Sequence, residues 1–240
     1  MNNTSLLVWW PKVKDLGIPV PKTEVVEIPY EDLVSLLDGR HLSEVDEHRI
    51  IVACSHMGFP LFLRTDMAAA KHHWRKTCYV ETARELFGHI TNLIDCTLAA
   101  GMFGELDPNA LVFREFILLN STFTAFDGLP IAKERRYFIA DGQVSCHHPY
   151  WIESAVEGSW TKPTDPNWQS KLAELNEETP EEIKLLSLYV GLVATIMPGY
   201  WSVDFAEAKS GIWYLIDMAE GGKSFHQKGC QFSCKPPERP

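Results

Sequence analysis

Ionisable side chains interrupt apolar, strand-like runs in this chain, mostly cations early and carboxylates late. Arg64 closes the run Leu61-Phe62-Leu63, and Arg114 with Glu115 separates Leu111-Val112-Phe113 from Phe116-Ile117-Leu118-Leu119. Arg136 precedes Tyr137-Phe138-Ile139, Asp204 stands between Val203 and Phe205, and Asp217 follows Trp213-Tyr214-Leu215-Ile216. A charge buried alone is costly, so buried charges are normally paired or bound to an ion. Cations in the middle of the chain and carboxylates at its end suit a polyphosphate gripped by guanidinium or ammonium groups beside a carboxylate-held metal. That is the pattern of a nucleotide site.

The carboxylates sit on the last two apolar runs, with Glu220 just past the second. If these runs pair as a hairpin turning near Lys209-Ser210, residues 204 and 217 come close together. Such oxygen ligands suit Mg²⁺, which takes one or two carboxylates plus substrate phosphates and water. The plainer alternative is a half-exposed Asp204 and an Asp217 that pairs with an arginine. Along Glu134 to Ala140, strand alternation puts Glu134, Arg136 and Phe138 on one face. Glu134 could then accept ribose hydroxyls and Arg136 grip phosphate, although a cross-strand ion pair would account for both. Arg64 and Lys71 flank the small-residue loop Met67-Ala68-Ala69-Ala70, which would let backbone approach a phosphate; the chain has no Walker sequence and no G-x-G-x-x-G.

With 240 residues the chain can bury a full core. A formal charge of −10 and a pI near 5.4 argue against coating nucleic acid, which needs a clustered cationic face. The start lacks the basic and long apolar segments of a signal peptide, and no apolar run reaches membrane-span length. Six cysteines without framework spacing are expected as reduced thiols in a cytoplasmic protein.

These residues need elements to hold them. The sequence predicts strands at Leu6 to Trp10, Glu24 to Ile28, Leu61 to Arg64 and Thr77 to Val80. Helices are predicted at Tyr30 to Leu37, from an N-cap at Ser43 to about His56, and at Glu81 to Ala100. Beyond Pro108 the pattern turns to short strands: Leu111 to Leu119, Ser121 to Phe126, Glu134 to Ala140 and Gln143 to His147, with Asp127-Gly128 and Asp141-Gly142 as tight turns. A helix is expected from Thr179-Pro180 to about Met197, then a hairpin of Tyr200 to Ala208 and Gly211 to Met218, then an irregular tail from Gly221 to Pro240. The expected class is α+β, with an α/β lobe over residues 1–110, a mostly antiparallel lobe over 111–240, and a ligand cleft between them.

The order of these blocks resembles the ATP-grasp superfamily, in particular its small phage- and bacteria-associated ligase-like branch. It is also similar to a eukaryotic cell-division-cycle family of ATP-grasp relatives that act in assembling a translation factor. The resemblance covers about residues 58 to 222. It implies that Arg64 and Lys71 reach the phosphates, and that Arg114-Glu115-Phe116 enters an interlobe hinge where backbone near Phe116, Ile117 and Leu118 meets the adenine edge. Glu134 would hold ribose, Arg136 phosphate, and Asp204, Asp217 and Glu220 the Mg²⁺. The implied reaction is ATP-dependent joining of a small-molecule or peptide carboxylate to an amine through an acyl phosphate, with Arg64, Lys71 and Arg136 neutralising the phosphoryl oxygens.

Three positions depart from that pattern. Ala219 stands where an Asn follows the metal carboxylate, Ser202 where an Arg precedes the first Asp, and Arg64 where a phosphate lysine is usual. An ATP-binding scaffold without turnover is therefore the second reading, and an unrelated α/β domain with internally paired ions the third. His226, Cys230 and Cys234 invite zinc, but a single C-x₃-C with one His lacks a fourth ligand nearby. Packing is the expectation for His72-His73 and for Trp9-Trp10 in the first lobe, and a strand end for His147-His148.

Overall fold

The computed structural model describes residues 3–101 and 106–227. Cys230, Cys234 and the rest of the expected tail beyond residue 227 lie outside the described residues. The first sheet contains β1 (Thr23–Glu27), β2 (Leu61–Thr65), β3 (Tyr79–Val80) and β4 (Ala110–Glu115), in the antiparallel order β1-β4-β2-β3. One face, carrying Leu61, Leu63, Leu111 and Phe113, packs on helices α2 (Tyr30–Ser35), α3 (Glu44–Met57) and α4 (Leu86–Gly101). Because side chains alternate along a strand, Phe62, Arg64 and Arg114 project from the opposite face. The alternation that buries the leucines thus delivers the arginines to the centre of the molecule.

Local chemistry fixes the helix starts. Ser43 caps α3 by accepting from the Asp46 N–H at 3.1 Å, and Glu44, Asp46 and Glu47 complement the positive end. A capping box of Thr82 and Glu85 opens the 3₁₀ turn Ala83–Glu85 that leads into α4, dividing the expected single helix.

The Leu6 to Trp10 segment is helical rather than extended. Helix α1 (Leu6–Val13) begins at Ser5, whose Oγ accepts from the Leu7 N–H at 3.2 Å. A five-residue apolar run has no periodicity long enough to separate strand from helix, and the cap decides it. Nor do its tryptophans belong to the first sheet's core: Leu6, Trp9, Trp10 and Val13 pack with Tyr137, Val203 and Phe205 of the second sheet.

That second sheet has the order β10-β9-β7-β8, from β7 (Glu134–Ala140), β8 (Gln143–Pro149), β9 (Trp201–Glu207) and β10 (Trp213–Glu220). Its buried face packs on α7 (Pro180–Ala194), capped by Thr179 with Pro180 in the first turn. A hairpin of β5 (Ser121–Ala125) and β6 (Leu129–Ala132) turns at Asp127-Gly128 and forms a small third core with α5 (Glu153–Glu157) and α6 (Trp168–Asn176). Strand β4 ends at Glu115, so the run expected to Leu119 is a strand only in its first half; residues 116–118 are irregular. Among the described residues no helix is long and apolar enough to cross a membrane.

Candidate functional site

Register places the second sheet's charges in one transverse row. Asp217 of β10 is opposite Asp204 of β9, Asp204 is opposite Arg136 of β7, and Arg136 is opposite His148 of β8. Arg136 clasps Asp204 with two donors, Nε and Nη2, each 2.7 Å from a carboxylate oxygen. From the first sheet, Arg64 Nη1 donates to Asp217 Oδ1 at 2.7 Å and Arg114 Nη1 to the Ile216 carbonyl at 2.6 Å. Lys71, opening a 3₁₀ segment after the alanine loop, lies 3.4 Å from Glu134 Oε2.

Lys71 is the electrostatic centre of this group. Burial alone would lower its pKa, but Glu134 first, then Tyr150, Asp217 and Asp204, outweigh that and raise it. Arg136 shows the same balance, with burial opposed mainly by Asp204. Arg114 is the exception: burial and then repulsion from Arg64 lower its pKa despite Asp217. Its Nε and Nη2 are buried without a hydrogen-bond partner, and its guanidinium lies 5.6 Å from the Trp10 ring. A buried, under-neutralised cation beside Arg64 is a chemical fit for a polyanion.

For Asp217, burial would raise the pKa, but Arg64, through its charge and hydrogen bond, and then Arg114 and Lys71 bring it below the usual carboxylate value. A depressed carboxylate contributes stability above its unfolded pKa, about 3.9, and loses it as pH falls through the folded value. Urea unfolding followed from about pH 6 to about pH 2.5 should show that contribution vanishing only at the acid end. Asp217→Asn should flatten the acid slope; an unchanged slope would remove Asp217 from the acid-labile groups.

The first-sheet cations, Lys71, Glu134 and Asp217 line a solvent-open cleft of about 820 Å³. Its inner wall is apolar (Phe62, Trp74, Leu129, Ile216), and its rim is the irregular stretch from Glu115 through Phe116, Ile117 and Leu118. The structure therefore brings Arg64, Lys71, Arg114, Glu134 and Asp217 together, with Arg136 and Asp204 in the adjoining row. Glu115 faces the same cleft while its Oε1 accepts from the Lys22 N–H at 2.7 Å.

Glu220 is not brought to the other carboxylates. Three positions beyond Asp217 on an alternating strand, it accepts from Asn3 Nδ2 at 2.8 Å and pairs with Lys223 at 3.3 Å. Among the described residues no three His, Cys, Asp or Glu side chains converge as a metal cluster. Asp204 and Asp217, as cross-strand partners, still match the one or two carboxylates that Mg²⁺ takes when phosphates supply its other oxygens.

Tyr150 and Trp151 escape sequence reasoning. Lys71 Nζ and the Arg136 guanidinium lie 5.1 and 4.7 Å from the Tyr150 ring centre, and Trp151 Nε1 donates to Glu134 Oε1 at 3.0 Å. The aromatic pair fixes three of the charged groups. Their only signal is a Tyr-Trp directly following β8, which carries no charge and is silent in a search for ions.

The departures Ser202 and Ala219 are neighbours, opposite each other in the row beside the charges, with Phe138 and Cys146 completing that row. Ser224 lies on it, its Oγ 2.5 Å from Ser202 Oγ, and the Phe225 carbonyl accepts from Arg136 Nη1 at 3.2 Å.

Two antiparallel sheets facing a cleft, with cations from one and carboxylates from the other, are shared with solved structures of low sequence identity. Cdc123 from Schizosaccharomyces pombe, C-terminally truncated, is 15% identical with a TM-score of 0.57, covering 91% of this chain and 83% of that one. VanG D-Ala:D-Ser ligase from Enterococcus faecalis is 13% identical with a TM-score of 0.57, covering 95% of this chain and 57% of its own. The biotin carboxylase domain of the Hydrogenobacter thermophilus 2-oxoglutarate carboxylase, solved with MgADP and bicarbonate, is 15% identical with a TM-score of 0.52, covering 94% and 40%. This chain thus spans about half of these two enzyme chains. No functionally curated protein matches it in sequence. The fold is the ATP-grasp fold, of α+β class. Over residues 54–233 the sequence matches an ATP-grasp domain family, the third of its clade, and the chain belongs to that family.

Proposed function

We propose that this protein is a cytoplasmic, ATP- and Mg²⁺-dependent ligase that joins a small-molecule or peptide carboxylate to an amine. The observation that carries this reading is the meeting of Arg64, Lys71 and Arg114 with Asp217 at one end of an apolar cleft. The apolar wall and the irregular 116–118 stretch suit an adenine, Glu134 a ribose, and the cationic end a triphosphate. Asp204 and Asp217 would hold Mg²⁺, whose charge would help neutralise the phosphates.

The chain's own contribution is positioning and neutralisation, which dominate phosphoryl transfer. The substrate carboxylate oxygen attacks the γ-phosphorus and the bond to the bridging oxygen breaks, leaving ADP and an acyl phosphate. Attack by the amine on the acyl carbon then expels inorganic phosphate. Arg64, Lys71 and Arg136 stabilise the negative oxygens in both steps, and Tyr150 keeps Lys71 and Arg136 apart on its ring. Ion pairs that close these charges on one another would open to accept the phosphates.

Adding Mg·ATP at about a hundred times its dissociation constant should stabilise the protein by about 2.7 kcal/mol, or roughly 5–11 °C in melting temperature. Lys71→Ala and Asp217→Asn should lose that shift; a full shift in both variants would place the nucleotide elsewhere.

A second reading, an ATP-binding scaffold or assembly factor without turnover, is favoured by Ser202 and Ala219, which leave the acyl-phosphate end with small side chains overlaid by Ser224. Release of ADP and phosphate with a carboxylate and amine mixture supports the ligase. An ATP-induced melting shift with no release under any such mixture supports the scaffold.

A further inference from the structure

A group of zinc-ligating residue types lies outside the cleft, on the edge strand β8. Cys146 Sγ is buried there, 3.1 Å from His226 Nε2. These residues are 80 positions apart in sequence, so the contact is made by folding and not by chain proximity. The His226 ring is fixed on two sides. It stacks on Phe138 with ring centres 4.2 Å apart, and its Nδ1 lies 3.4 Å from the Tyr200 hydroxyl. Burial, and then the charge of Arg136, lower the His226 pKa. The ring is thereby kept in its neutral, ligating form.

Beyond His226 the sequence continues Gln-Lys-Gly-Cys230-Gln-Phe-Ser-Cys234. The two cysteines lie outside the described residues and enter here through their spacing alone. His-x₃-Cys-x₃-Cys falls within the intervals of structural zinc sites, but supplies only three ligands. The fold brings the missing fourth from β8.

We propose that Cys146, His226, Cys230 and Cys234 form a structural zinc site that staples the chain following β10 onto the second sheet. Tetrahedral zinc with bonds of about 2.3 Å to sulfur and about 2.0 Å to nitrogen holds such ligand atoms roughly 3.5 Å apart. The Cys146–His226 pair needs to open by only a few tenths of an ångström to admit the ion. Three thiols release their protons to solvent as the Zn–S bonds form, and the imidazole binds without losing one. Tyr200, facing Nδ1, fixes the ring as an outer-shell partner does in such sites. Soft thiolates with one imidazole select zinc over the hard magnesium that suits the cleft. The staple also has a place to act: Ser224 and Phe225, directly before His226, touch Ser202 and Arg136 of the charged sheet face.

The full chain, purified without a polyhistidine tag under reducing conditions, should carry a single equivalent of zinc by elemental mass spectrometry. Cys234→Ser and Cys146→Ser should each lose it, whereas Cys96→Ser should keep it. Cobalt substitution of the wild type should give a thiolate-to-cobalt charge-transfer band and tetrahedral visible bands, both absent in Cys234→Ser. That variant alters no described residue, so its near-ultraviolet circular dichroism reports whether metal loss occurs in a folded protein. Zinc-free wild-type protein, zinc retained in both Cys146→Ser and Cys234→Ser, or an intact mass two hydrogens short that marks a disulfide would each overturn the proposal.

Discussion

Arg135→Ala is expected to lower the melting temperature by roughly 6–20 °C, corresponding to about 3–5 kcal/mol lost when one partner of a buried pair is removed. Arg135 is wholly buried, one position from Arg136 and on the opposite face of β7. Its Nε donates to Glu182 Oε1 at 2.5 Å, and Nη2 donates to the carbonyls of Leu175 and Glu177 at 3.0 and 2.8 Å. Those contacts fasten the end of α6 and the start of α7 to the second sheet. Alanine would strand the Glu182 carboxylate and two carbonyls, with Lys133, 2.8 Å from Glu182 Oε2, as the remaining cation. Arg135→Lys should recover little, because an ammonium cannot span three acceptors in a planar fork. Calorimetric melting decides the matter: a loss under about 1 kcal/mol, within ordinary surface effects, would show that Lys133 alone suffices.

Arg136→Ala should cost a similar amount and, in addition, the response to nucleotide. The guanidinium engages both Asp204 oxygens, and Asp204 is only 4% exposed, so its charge would be left with no direct partner in the sheet. Replacing both partners with apolar residues, as Arg136→Met with Asp204→Leu, should restore most of the stability, because the deficit comes from a stranded charge more than from a lost attraction. It should not restore the melting shift with Mg·ATP. If Arg136→Ala keeps the full shift, Arg136 belongs to the sheet's structure and not to the nucleotide.

Much of this arrangement can be read from residue order, for a physical reason. The period-two alternation of Leu61 to Arg64 and of Glu134 to Ala140 specifies a face for each charge, and the register of the final hairpin brings residues 204 and 217 opposite each other. Strands whose inner face must be apolar leave little freedom in where their charges point. Information that depends on packing is not legible. The Leu6 to Trp10 run reads equally well as strand or helix, and only its capping serine and its docking on the second sheet settle it. Helix α6 hides in a polar segment because just Leu172 and Leu175 turn inward. Arg135 looks like a duplicate of Arg136 until the face it occupies is known. Nearness in sequence to Asp217 suggests Glu220 as its companion, but alternation carries Glu220 away from the cleft.

The segment preceding β1 has a consequence of its own. Leu6 N–H donates to the Asp66 carbonyl beside β2, Trp10 lies against Arg114 of β4, and the Pro19 carbonyl accepts from Leu215 N–H on β10. The opening twenty residues therefore bridge the two halves like a clasp. The recognised family segment starts only at residue 54. A chain trimmed to that segment would strip two tryptophans out of the hydrophobic interior and free the halves to swing apart, so deletion studies must retain the amino-terminal helix.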